Sequence, residues 1–293
     1  MRTPPSRSAF PTRFNYYSTP RSTLETQVHS IPATDIGRFV RLKDAFANAG
    51  CSGDAMKVQA VTEKRGSSSF NLICTWPADS PDVTVVVAHY RGAGSGQGAV
   101  ENWSGALLLP YLYFAMEAQP RENTWVFVES SGKAGTAAYF RSLSRKQQRQ
   151  IRAMVSLDGL GVGNVVRFYT PFPDTPYLPP DSVHLQMVLL LASLSDDRVP
   201  RPEPTNPMTW LTDDDTQPFR YREIPSIVLH SVPVEEAALP GSVNDTAAAV
   251  DGNAYFQNYR AIAIFLVDLD SLAASLDRES DIWNSVDAQP GSR

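Results

Sequence analysis

The sequence predicts a single α/β domain whose largely parallel sheet carries helices on both faces. Two observations lead there. Apolar runs of strand length alternate with stretches of helical spacing along most of the 293 residues, the order that produces parallel sheets. "VTVVVAH" (83–89) is a continuous apolar run, as a strand covered on both faces requires. No repeat of solenoid length and no low-complexity linker divides the chain.

The elements follow in order. Residues 1–24, rich in Pro, Ser, Thr and Arg with Glu25 as the first acid, read as a flexible tail or arm. They lack the apolar core of a secretory signal, so a cytoplasmic location is expected. The domain proper is assigned to residues 25–275, with residues 276–293 as a C-terminal tail. "IGRFVRLKDAFANAG" (36–50) has apolar residues at helical spacing and stops at Gly50, where a left-handed cap costs least. Strands are expected at "MKVQAV", "SFNLICTW" and "VTVVVAH". A helix over "NWSGALLLPYLYFAMEA" tolerates or bends at Pro110. Then come strand "TWVFVE", helix "KAGTAAYFRSL", strand "RAMVSLDGLG", helix "SVHLQMVLLLASLSD", strand "IPSIVLH" and a closing helix over residues 254–272.

Composition narrows the function classes. With 26 Lys and Arg against 31 Asp and Glu, the net charge is -5, which supplies no basic field for nucleic acid and no polybasic membrane patch. "ALLLPYLYFAM" and "MVLLLASL" fall short of a membrane span. Cys51 and Cys74 are too few and too isolated for a disulfide framework or a metal clip, and are expected to be ordinary thiols.

In doubly wound sheets the carboxyl ends of strands converge on one crevice. Here His89, Glu129, Asp158 and His230 stand at such ends. The short motifs nearby do not hold: "GSGQGA" begins too far after its strand for a dinucleotide fingerprint, and "SGKAGT" lacks the leading glycine and the Ser or Thr of a phosphate loop. No G-x-S-x-G or H-E-x-x-H occurs, and "TDDDT" (212–216) suits a solvated turn better than a hard-cation loop.

Ordered blocks from Asn71 onward resemble the co-catalytic zinc aminopeptidase family, which includes bacterial leucyl aminopeptidases, glutamate carboxypeptidases and, more distantly, glutaminyl cyclases. "NLICTWPADSPDVTVVVAHYR" is similar to the family's hydrophobic strand ending in "AHYD", which puts His89 on a zinc-ligand position. "GAVENWSG" resembles "GANDNASG", with Glu101 where the metal-bridging Asp stands. "WVFVESSGKAGT" resembles the strand before "EE-x-G", placing Glu129 on the general base and Ser130 on a ligand Glu. "SLDGLG" resembles "NLDMIG", giving Asp158 as a ligand. "DTQPFRYREIPSI" keeps Asp215 of "DHxPFxxxGIPA", and "PGSVNDT" leaves Gly241 at the last histidine ligand of "YHTxxDT". The resemblance covers residues 30–272 and implies a mixed, mainly parallel sheet of about eight strands sandwiched by helices.

The donor set it implies is incomplete. Two co-catalytic ions about 3.5–4 Å apart need a shared carboxylate and separate donors for each ion. His89, Glu101 and Asp158 retain ligating side chains; Ser130 and Gly241 do not. Arg91 replaces an Asp that orients the ligating histidine, a support whose loss costs about 10- to 100-fold in affinity. Arg91 is therefore expected to replace the metal charge by pairing with Glu101, Glu129 and Asp158, with Asp215 as a further supporting residue and His230 as a substitute ligand. None or one zinc is expected, not two.

Three readings remain open. In the first, the chain is a catalytically impaired member that binds a peptide, a small amide or a protein partner in the strand-end cleft, with rim aromatics in "RFNYY" and "PFPDTPYLPP". In the second, His89, Glu101 and Asp158 hold one zinc and Glu129 acts as base. In the third, the chain is an ordinary two-zinc aminopeptidase.

Overall fold

The computed structural model describes residues 16–62, 68–92, 94–118, 121–169, 180–205 and 215–287. The rim segment 170–179 and most of the "TDDDT" run lie outside these residues.

Eight strands form one sheet: β1 (Met56–Thr62), β2 (Ser68–Trp76), β3 (Val83–His89), β4 (Thr124–Ser130), β5 (Ile151–Leu157), β6 (Arg167–Tyr169), β7 (Glu203–Pro204) and β8 (Ser226–His230). Their order is β1-β2-β4-β3-β5-β8-β6-β7. The four central strands β4, β3, β5 and β8 are mutually parallel, β1, β2 and β6 join by antiparallel pairing, and β7 runs parallel to β6. This is the mixed, mainly parallel sheet that the sequence blocks imply.

The α-helices among the described residues are α1 (Arg21–His29), α2 (Asp35–Asn48), α3 (Ser104–Met116), α4 (Lys133–Ser142), α5 (Arg145–Gln150), α6 (Pro180–Ser193), α7 (Gln217–Arg220) and α8 (Gly252–Asp287). Thr34 starts α2 by accepting the Gly37 N–H at 3.1 Å, satisfying one of the amides a helix start leaves unpaired. α3 is apolar all round because it is a central helix: nearly all its side chains are buried, Pro110 among them. The strand period of two divides the core. Leu72, Val86, Ala88, Phe127, Val155 and Leu229 face a large cluster shared with α2, α3, α6 and α8, whereas Val85, Val87, Val126, Val128 and Met154 face a smaller one under α4 and α7.

The strands and longer helices lie where their periodicity places them, and the short elements α5, β6, β7 and α7 carry too few residues to show a period. The boundary drawn after residue 24 falls inside α1, and that after residue 275 falls inside α8. One expectation is overturned. Cys51 and Cys74 form a disulfide, with Cα atoms 6.1 Å apart, both fully buried. Two lone cysteines carry no signal of this, because only the packing of the end of α2 over β2 brings them together. No helix among the described residues is long and apolar enough to cross a membrane.

Candidate functional site

β3 ends at His89, which stands in register with Ser130 at the end of β4. Asp158 follows β5, its N–H donating to Leu229 O at 3.0 Å. A π-helical turn, Ala99–Trp103, brings Glu101 over the same strand ends just before α3. Asp215 arrives from the segment preceding α7.

The side chains on the α4 side of the sheet interlock. His89 Nδ1 lies 3.0 Å from Asp215 Oδ2, while Thr136 of α4 donates to the other oxygen of Asp215 and sits 2.8 Å from Ser130 Oγ. Ser130 turns its hydroxyl back on its own loop: it donates to Gly132 O at 2.6 Å and accepts the Gly132 N–H at 3.1 Å. The neighbourhood of Gly241 is closed by backbone. Its carbonyl accepts the Ser95 N–H at 3.2 Å, and a Cβ added at Gly94 would lie 2.1 Å from that oxygen.

Asp245, fully buried, accepts N–H bonds from Val100 at 2.6 Å, Glu101 at 3.3 Å and Gly241 at 2.9 Å. It ties the π-helical turn to the Gly241 loop and so sets where Glu101 stands. In the sequence it stands only as the acid of "PGSVNDT", in a loop of small residues, a signal too weak to mark its role. Arg38 of α2 does similar work, donating to Tyr90 O at 3.0 Å and to Gln97 O.

Arg91 is placed differently from expectation. Its Nε donates to Asp35 Oδ2 at 3.0 Å, and the Gly92 N–H joins the same carboxylate at 3.2 Å. The first turn of α2 thus supplies a carboxylate partner to Arg91. The cation that acts on the cleft acids is instead His89. Burial opposes its charge, but Asp158, Asp215 and Glu101 outweigh that and raise it to about 10. Burial raises Asp158 to about 8 although His89 pulls the other way. Burial likewise raises Glu101, against the pull of His89. Asp215 is lowered: its burial is overcome by the hydrogen bond and charge of His89.

Glu129 stands apart from this group. Its register partners, Ala88 and Leu72, belong to the large cluster, so alternation directs its side chain to the face opposite His89 and Ser130. Both carboxylate oxygens are buried without a hydrogen-bond partner among the described residues, and burial raises its pKa well above the ordinary value. His230, at the end of β8, pairs in register with Arg167. Burial, reinforced by that cation, lowers it to about 3. It takes no part in the His89 group.

A metal pair demands a shared carboxylate and separate donors for each ion. Among the described residues no group of three or more His, Cys, Asp and Glu side chains is disposed to hold a metal ion, and the Ser130 hydroxyl and the Gly241 backbone already have partners.

The family model of peptidase family M28 matches residues 71–264. The chain belongs to peptidase family M28. This is the family whose blocks the sequence resembles. No curated protein matches the M28 chain closely enough to add to this. Solved structures share its fold. The zinc aminopeptidase BSAP from Bacillus subtilis is 17% identical over 69% of this chain and 50% of that one, with a TM-score of 0.58. The LapA aminopeptidase from Legionella pneumophila is 14% identical over 86% and 71%, with a TM-score of 0.64. The glutaminyl cyclase from Fimbriiglobus ruber is 15% identical over 90% and 99%, with a TM-score of 0.67. The M28 chain thus spans half the length of BSAP and nearly all of the cyclase.

Proposed function

We propose that this M28-family chain is catalytically impaired and acts by binding a peptide or small amide ligand in the cleft at the ends of β3, β4 and β5. The observation that carries the reading is the state of two positions where the family resemblance puts metal donors. The hydroxyl of Ser130 is engaged within its own turn, and Gly241 is packed backbone to backbone against Gly94 and Ser95. A second ion would have neither donor, and a bridging water needs both ions. The Cys51–Cys74 disulfide favours an oxidising compartment over the cytoplasm expected from the N-terminal residues.

A second reading has support from a separate observation. Among the described residues, Asp158 Oδ1 and both oxygens of Glu129 are buried without partners, an expensive condition that a bound ion or water would relieve. A single zinc on His89, Glu101 and Asp158, with Glu129 as base, would use three protein donors and one open position; it requires these side chains to close up on binding, Glu129 coming round from the other face of β4. Since the chain matches a glutaminyl cyclase over nearly that protein's whole length, a peptide with N-terminal glutamine belongs among the substrates tested.

Metal content of protein purified without chelator, measured together with turnover of aminoacyl anilides and a glutaminyl peptide, separates the readings. The binding role predicts metal far below one ion per chain and no turnover after zinc is added. One zinc per chain with activity abolished in Glu129→Gln would replace it with the one-metal enzyme.

A further inference from the structure

Charge is spread unevenly along this acidic chain. Between Ser130 and Leu157 there is no Asp or Glu, while Lys133, Arg141, Arg145, Lys146, Arg149 and Arg152 supply six cations within a net charge of -5. The fold gathers several of them at the end of the sheet opposite the cleft. α5 is fixed by a capping box between Ser144 and Gln147, and Arg145 and Arg149, four residues apart, lie on one side of it. Arg152 follows at the start of β5, anchored by Asp82 Oδ1 at 2.7 Å from its Nε. Arg222 comes from the turn after α7, across the groove.

These four arginines line a concavity of about 570 Å³ with the buried Ile151 and Ile224 in its wall. Glu223 is the one acid among the described residues of that lining. Arg145, Arg149 and Arg222 are exposed and form no ion pair among the described residues. Like charges around one hollow repel each other, and a bound anion would remove that repulsion. Guanidinium groups present planar forks of donors that match the oxygens of phosphate and carboxylate. The hollow is of the size that encloses a small molecule, which lies within about 300–1,000 Å³. A flat anionic surface would not need it.

We propose that this groove binds a small polyanion carrying two or more phosphate-type groups, at a site independent of the strand-end cleft. Inorganic tripolyphosphate titrated calorimetrically into the full chain tests it, at low and at physiological salt. One site per chain is expected, tighter than for orthophosphate and weaker at the higher salt. Replacing Arg149→Glu and Arg222→Glu together should weaken it by more than about tenfold, since each removes a charge-assisted contact. Lys43→Glu, at an exposed position on α2, should bind as the unaltered chain does. If the double variant fails to fold by circular dichroism, Arg149→Gln and Arg222→Gln singly should each show a smaller loss. No binding, equal affinity for orthophosphate, or binding unchanged in the variants would overturn the proposal. So would attachment to phosphatidylglycerol vesicles that tripolyphosphate does not displace, which would assign the arginines to a membrane surface.

Discussion

Two histidines end parallel strands in this molecule, and their surroundings drive them in opposite directions. His89 meets three carboxylates and is raised to about 10; His230 is buried beside Arg167 and is lowered to about 3. A histidine held neutral in the fold but free to charge when unfolded contributes stability above its unfolded pKa of about 6.5, and that contribution is lost as pH falls toward about 3. His230 should therefore account for up to about 5 kcal/mol of acid destabilisation. Urea midpoints of the unaltered chain and of His230→Gln, compared between neutral and acidic pH, should converge as the solution is acidified. A difference that does not change with pH would count against it. Sequence alone showed both residues as strand-end histidines and could not separate them, because the deciding charges come from other parts of the chain. Arg91 shows the same limit: its partner, Asp35, lies 56 residues earlier.

α2 packs over the sheet and is held at both ends. Asp35 in its first turn takes Arg91 and the Gly92 N–H, and just beyond its last turn Cys51 is bonded to Cys74 of β2. The disulfide closes a loop with a sequence separation of 23, for which the chain-entropy account gives about 3 kcal/mol. The double replacement Cys51→Ser and Cys74→Ser should lower stability by that amount in urea unfolding, and a reductant should do the same to the unaltered chain. Two free thiols in protein denatured without reductant would show that the bond is not formed. Longer elements such as α2, α3 and β3 were legible because their apolar period runs for several turns or pleats. α5 and β6 were not: six and three residues hold less than two full periods.

Across the molecule, the alternation of strand side chains explains what sequence order could and could not say about the site. The blocks ordered along the chain correctly gave the family and the sheet. They also placed Glu129 and Ser130 side by side, whereas the pleat sends neighbouring residues of β4 to opposite faces, Glu129 toward the large cluster and Ser130 toward Asp215 and Thr136. His89, Glu101, Asp158 and Asp215 do come together, from four separate segments.

The loops above them are bonded through their backbones and, in addition, through one buried side chain. Three amides, from Val100, Glu101 and Gly241, converge on the carboxylate of Asp245. Such a cluster of N–H groups is what proteins elsewhere offer to a dissolved anion, so this chain can be regarded as having built its own ligand into the backbone. A ligand of this kind is exchangeable. Asp245→Gly should lose roughly 3 kcal/mol, the cost of stranding buried donors that met a charged acceptor. Formate or acetate should restore part of the melting temperature, and chloride at equal ionic strength should not. A loss that small carboxylates leave untouched would mean that Asp245 matters for its covalent tether more than for its charge.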